Sequence, residues 1–143
     1  MNLRESWVLF AIGSAFFAGL TAVLGKIGVQ GLPSNLATMI RTVVILAVTA
    51  CIVTLLKEWR PASSIAARTW IFLALSGVAT GLSWLCYYRA LQLGPVTRVA
   101  PVDKLSVVFA IVLGVLFVGE KLTLATVLGA LLIVAGSIVM IAF

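Results

Sequence analysis

Five apolar runs of about twenty residues each, parted by short polar or proline-bearing breaks, leave this chain only lipid as the solvent for most of its surface. The breaks are Gly31-Leu32-Pro33-Ser34, then Lys57-Glu58-Trp59-Arg60-Pro61 through to Arg68, Gly94-Pro95, and Gly119-Glu120-Lys121. They delimit spans at about 5–29, 35–56, 69–93, 96–118 and 122–143. Lipid cannot satisfy backbone polar groups, so each span closes its own hydrogen bonds as a helix. No alternating ten-residue strands suggest a barrel instead. The predicted fold is all-α: an integral membrane bundle of five transmembrane helices, one domain over 1–143. Composition agrees, with 63% hydrophobic and 10% charged residues against about 25% charged in soluble domains. Cys51 and Cys86 fall inside apolar runs and read as small buried hydrophobes.

The net charge of +6 is scattered between apolar runs, with no basic stripe or aromatic platform, which excludes a nucleic-acid partner. There is no histidine, and neither a nucleophile constellation nor a Walker A or HExxH motif is present, so no enzymatic activity, metal or cofactor is expected. Five crossings put the two ends on opposite sides. The N-terminal side then carries Arg4, Lys57, Arg60, Arg68 and Lys121, and the other side Lys26, Arg41, Arg89, Arg98 and Lys104. This even division gives the positive-inside rule little to act on, and insertion in both orientations is open.

Several charges lie inside the spans. Arg41 is on the order of 10 Å from Ser34, Asp103 about 9 Å past Thr97, and Lys26 is shallower. A charge at such depth costs at least about 2.5 kcal/mol and usually faces a polar interior or a partner. The competing explanation for Lys26, Arg41, Arg89 and Lys104 is snorkelling to the headgroups; for Asp103 it is a structural ion pair. Adjacent residues on a helix point about 100° apart, so Asp103 is expected to face Lys26 or Arg41 rather than Lys104. Lys26 continues a small-residue stripe of Ala15, Gly19 and Ala22, opposite a bulky face of Phe16, Phe17, Leu20, Val23, Leu24 and Ile27. The third span carries Ser76, Thr80, Ser83 and Tyr87 on one stripe, with Trp84 and Tyr88 beside it. Those groups either line a path or bond neighbouring backbone. Pro101 leaves a carbonyl unpaired about four residues earlier, and irregular backbone at membrane depth lines a cavity or is buried in protein.

The segment Ala90-Leu91-Gln92-Leu93-Gly94-Pro95, continued by Val99-Ala100-Pro101-Val102-Asp103-Lys104-Leu105-Ser106, by Gly119-Glu120-Lys121-Leu122-Thr123 and by Gly129 to Gly136, resembles the EamA-type domain of the drug/metabolite transporter superfamily. Arg41 resembles an arginine often found in that family's second helix. Most such proteins carry two copies of the domain; this chain holds one. The resemblance implies a secondary transporter or exporter of small metabolites. Asp103-Lys104-Leu105-Ser106 is also similar to the lysine-bearing helix of plastid phosphate and nucleotide-sugar translocators, which implies that Lys104 meets substrate, although Leu105 stands where a second base would follow. Small multidrug resistance proteins depend on a first-helix glutamate, and the interior of the first helix here carries Lys26 instead.

The expected function is therefore secondary transport of a small polar or anionic metabolite by a multi-pass protein of the cell (inner, cytoplasmic) membrane. It would act as a homodimer, with antiparallel pairing open. Lys26, Arg41 and Lys104 would attract the substrate, Asp103 would pair with a cation or carry a proton, and Trp84, Tyr87 and Tyr88 would shape the pocket. A passive anion channel and an accessory membrane subunit are the alternatives.

Overall fold

The computed structural model describes residues 3–142, and side chains over 7–142. The side chain of Arg4 and the last residue of the fifth predicted span, Phe143, lie outside the described residues. The elements are α1 (Leu3–Gly28), α2 (Ser34–Leu55), a short 3₁₀ turn (Ala62–Ser64), α3 (Ala67–Leu93), α4 (Val96–Asp103), α5 (Ser106–Leu113), a π-helical turn (Gly114–Val118) and α6 (Leu124–Ala142). No strand occurs among the described residues. Five helical segments, Trp7–Gly28, Ser34–Leu55, Ala67–Leu93, Val96–Val118 and Leu124–Ala142, are long and apolar enough to cross a membrane. The fold is a five-helix membrane bundle.

The helix ends follow local chemistry. α6 begins at Leu124 because the Thr123 hydroxyl accepts the Thr126 N–H at 3.1 Å, an N-cap that the apolar run alone does not mark. The fourth span departs from the expected single helix. Pro101 supplies no N–H, and the N–H groups of Lys104 and Leu105 turn to the carbonyls of Pro101 and Val102, three residues back, at 3.1 and 3.0 Å. The tighter turn ends α4 at Asp103, and helix resumes at Ser106. At the far end of this span Gly119 takes φ +75°, and its N–H and that of Glu120 both converge on the Gly114 carbonyl. A left-handed residue at this position is the usual reason for glycine after a helix. At Gly114 a Cβ would lie 3.0 Å from the Glu120 carboxylate, the end of a flexible, exposed side chain.

The chain forms two compact units, Lys26–Gln92 and a second made of 1–25 with 93–143. In the first unit, burial concentrates where α2 begins and α3 ends: Val29 (1% exposed) and Leu91 (0%) are its most enclosed side chains, with Ser34, Ala37, Thr38 and Tyr88 also buried. From Ala67 to Ser83, α3 is exposed throughout. In the second unit α4 and α6 pack together, and the buried Ser137 hydroxyl donates to the Pro101 carbonyl at 3.0 Å. An apolar groove of about 290 Å³ runs between the residues after Val108 and those of α6, lined by Val108, Ile111, Val115, Ala130 and Val134 among others.

Two expectations are corrected. Cys51 and Cys86 are exposed rather than buried; in lipid an outward apolar thiol loses nothing, so residence in an apolar run does not imply enclosure. On α1 the bulky face is exposed as expected, but of the small stripe only Ala22 is buried, while Ala15 and Gly19 are not.

Candidate substrate site

The start of α2 and the end of α3 bring one cationic and three aromatic side chains together. Arg41 lies about 10 Å along α2 from Ser34, and Trp84 about 13 Å back from Leu93, so two helices joined in opposite directions offer them at similar depth. Trp84, Tyr87 and Tyr88 stand at i, i+3 and i+4, a spacing that places side chains on one helix face. The Arg41 guanidinium carbon sits 3.2 Å from the centroid of the Trp84 ring and 5.8 Å from that of Tyr88. Trp84 meets Tyr87 edge-on, with centroids 5.4 Å apart and planes at 80°, and meets Tyr88 at 5.8 Å. Tyr88 is buried; Arg41, Trp84 and Tyr87 are half-buried.

This stack fixes what Arg41 can do. The ring covers one face of the planar guanidinium and stabilises its charge by about 0.5–2 kcal/mol. The N–H edge, which binds a carboxylate or phosphate by two parallel bonds, is not consumed by stacking. Among the described residues no carboxylate pairs with Arg41. The nearby hydroxyls do not supplement it: Thr38 and Thr42 donate to the carbonyls of Ser34 and Thr38 at 2.9 and 2.8 Å. Thr80 likewise bonds the Ser76 carbonyl at 2.8 Å, so of the two readings of the α3 hydroxyl stripe, backbone bonding holds there.

Lys26 has a structural contact. Its ammonium donates to the Leu91 carbonyl, a group left without an intrahelical partner in the last turn of α3. Beside it the Gln92 amide nitrogen donates to the carbonyls of Leu32 and Val29, the latter at 3.3 Å, and its oxygen accepts from Arg89 at 3.0 Å. Lys26 and Gln92 thus fasten the α1–α2 turn to the end of α3. Gln92 carries no charge and escaped the sequence reading. The signal was its place in a last helical turn, three residues after Arg89 and just before Gly94-Pro95.

Asp103 and Lys104 contradict the expectation from helical geometry. The carboxylate and the ammonium pair at 3.6 Å, with side chains 37% and 56% exposed respectively. The backbone stays right-handed at Lys104 (φ −68°, ψ −12°) and the turn is only tightened, so the pair closes through the length of the lysine side chain and not through a change of chain direction. Lys104 lies past the end of α4, in the tightened turn that follows Pro101.

A family model described as the EamA-like transporter family matches residues 5–142. The chain belongs to that family. A relative from Sinorhizobium sp., described as an uncharacterized transporter in the cobO 3' region, is 54% identical over 141 residues, covering 99% of this chain and 100% of the relative. No solved structure matches the chain. This EamA-like protein is a multi-pass membrane transporter.

Proposed function

We propose that this EamA-like protein is a secondary transporter of a small organic anion in the cell membrane. The observation that carries the reading is Arg41: a guanidinium at membrane depth, stacked on Trp84 and beside Tyr88, with no carboxylate partner among the described residues. A cation so placed costs free energy unless something neutralises it, and its open N–H edge suits an oxyanion. Arg41 holds the anion, Trp84 and Tyr88 orient the guanidinium, Tyr87 braces Trp84 edge-on, and Lys104 is a second cation offered during passage. Lys26 supports the site by fixing the end of α3.

The working form is a homodimer. A Cβ built at Gly129 or Gly136 of α6 meets nothing within 4 Å, so this small-residue face is unfilled by the chain itself, and small residues permit close helix approach in lipid. Gly136→Leu is expected to lower the cross-linked dimer fraction without lowering the yield of folded protein. An unchanged dimer rejects this interface.

Proteoliposomes loaded with glycerate, 3-phosphoglycerate or isethionate test the function. A carrier exchanges external label for internal unlabelled anion. Flux far above carrier rates without exchange identifies an anion channel, and no flux with any of the three anions overturns the reading.

A further inference from the structure

The Asp103–Lys104 pair is an ion pair at an interruption of a membrane span, eight residues into Val96–Val118, and about half of it is exposed. Two exposed charges do not face hydrocarbon stably; they face water or a partner. The packed helices offer neither group another ionic partner among the described residues. α6, the element packed against α4, carries no ionisable side chain, and neither does α5. The other charge on α4 is Arg98, at the helix start and a cation like Lys104.

From this geometry, and resting on the anion reading above, we propose that Asp103 is the proton-coupling group and that the protein carries one proton with each monovalent anion. At rest the Lys104 ammonium is neutralised by the Asp103 carboxylate. An incoming anion that takes Lys104 leaves that carboxylate without its counter-charge inside a membrane span, which is costly. A proton from the more acidic compartment removes the conflict: it binds a carboxylate oxygen, Asp103 becomes neutral, and Lys104 exchanges its ionic partner from carboxylate to substrate. The ammonium keeps its own protons throughout. On the far side the anion leaves, the proton leaves, and the pair re-forms. At this pair the empty state (Asp⁻, Lys⁺) and the loaded state (AspH, Lys⁺, anion⁻) both have no net charge, so loading a proton with the anion leaves the charge of the protein, Arg41 included, unchanged. At the pair, the anion without the proton would leave a net charge of minus one, and this is what ties the two fluxes together. The substrate class is a monoanion, since one proton with a dianion would make loading electrogenic.

The test uses the full chain in proteoliposomes with labelled glycerate and, as an anion that does not itself take up a proton near neutrality, isethionate. With the exterior more acidic by one pH unit, the wild type is expected to accumulate label up to about tenfold, the ratio that a one-to-one electroneutral coupling sustains at 1.4 kcal/mol per decade. An entrapped pH indicator should record one proton entering per anion. Asp103→Asn is expected to lose the accumulation and the proton entry, and whatever exchange of labelled for unlabelled anion it retains should no longer depend on pH. Exchange by the wild type without accumulation or proton entry overturns the coupling while leaving the anion reading intact; absence of exchange sinks the anion reading itself. Accumulation by Asp103→Asn equal to wild type also overturns the assignment. Should Asp103→Asn fail to insert, the proton count on the wild type decides alone.

Discussion

In the Lys26–Gln92 unit, a small buried cluster around Val29 and Leu91 is joined by polar and cationic contacts between distant parts of the chain: Lys26 and Gln92 on backbone carbonyls, and Arg41 on Trp84. Between α4 and α6 the packing is apolar, and the hydrogen bond that crosses it runs from Ser137 to Pro101. Lipid removes most of the hydrophobic drive for helices to associate, so apolar packing there supplies contact and little discrimination. Polar groups at membrane depth are therefore placed where a particular geometry is wanted. The first unit holds a cation with an open edge, and the second holds a charge pair at a helix break.

Breaking the first of these should have the largest effect. Arg41→Gln is expected to reduce anion exchange at least about 100-fold, since two charge-assisted hydrogen bonds at about 1.5–3 kcal/mol each are lost. Arg41→Lys keeps the charge but neither stacks as a plane nor binds with two parallel bonds, and is expected to lose about tenfold. Exchange rates in proteoliposomes measure both, and equal activity of the two variants would show that charge alone is used.

The next effect is structural and sharpens the contrast between the units. Gln92→Leu strips two carbonyls of their donor, a loss of about 1–3 kcal/mol, and should lower the melting temperature in detergent while exchange falls less than in Arg41→Gln. A larger fall in exchange than in stability would make Gln92 part of the transport cycle. Smallest is Ser137→Ala, where side-chain hydrogen bonds within membranes average about 0.6 kcal/mol. Its expected consequence is a slight loss of thermal stability, because the Pro101 carbonyl still accepts the Lys104 N–H.

The sequence was most informative where the physics is one-dimensional. Five apolar runs dictate five spans, and Gly31-Leu32-Pro33 and Gly94-Pro95 end helices through backbone chemistry that needs no neighbour. The Arg41 stack was half legible: charge depth and the i, i+3, i+4 aromatic spacing identified the participants, but which ring receives the guanidinium depends on how α2 and α3 meet. The Asp103–Lys104 pair was misjudged because Cβ direction was weighed without the reach of a lysine side chain, and Gln92 was missed because its partners are carbonyls, which no residue letter announces. Cys51 and Cys86 show the limit of hydropathy in lipid, where apolar character marks immersion and not enclosure.

The central claim, that Arg41 held on Trp84 receives the oxygens of an anion, can be read from the indole itself. With Trp7, Trp59 and Trp70 replaced by Phe, Trp84 is the sole tryptophan, and its emission reports whatever moves the guanidinium above it. Titration with glycerate or isethionate should shift that emission saturably, and Arg41→Gln in the same background should abolish the shift. If instead a quaternary ammonium ion shifts the emission and neither anion does, the aromatic cluster is a cation site that Arg41 merely fills, and Arg41 is no anion receptor.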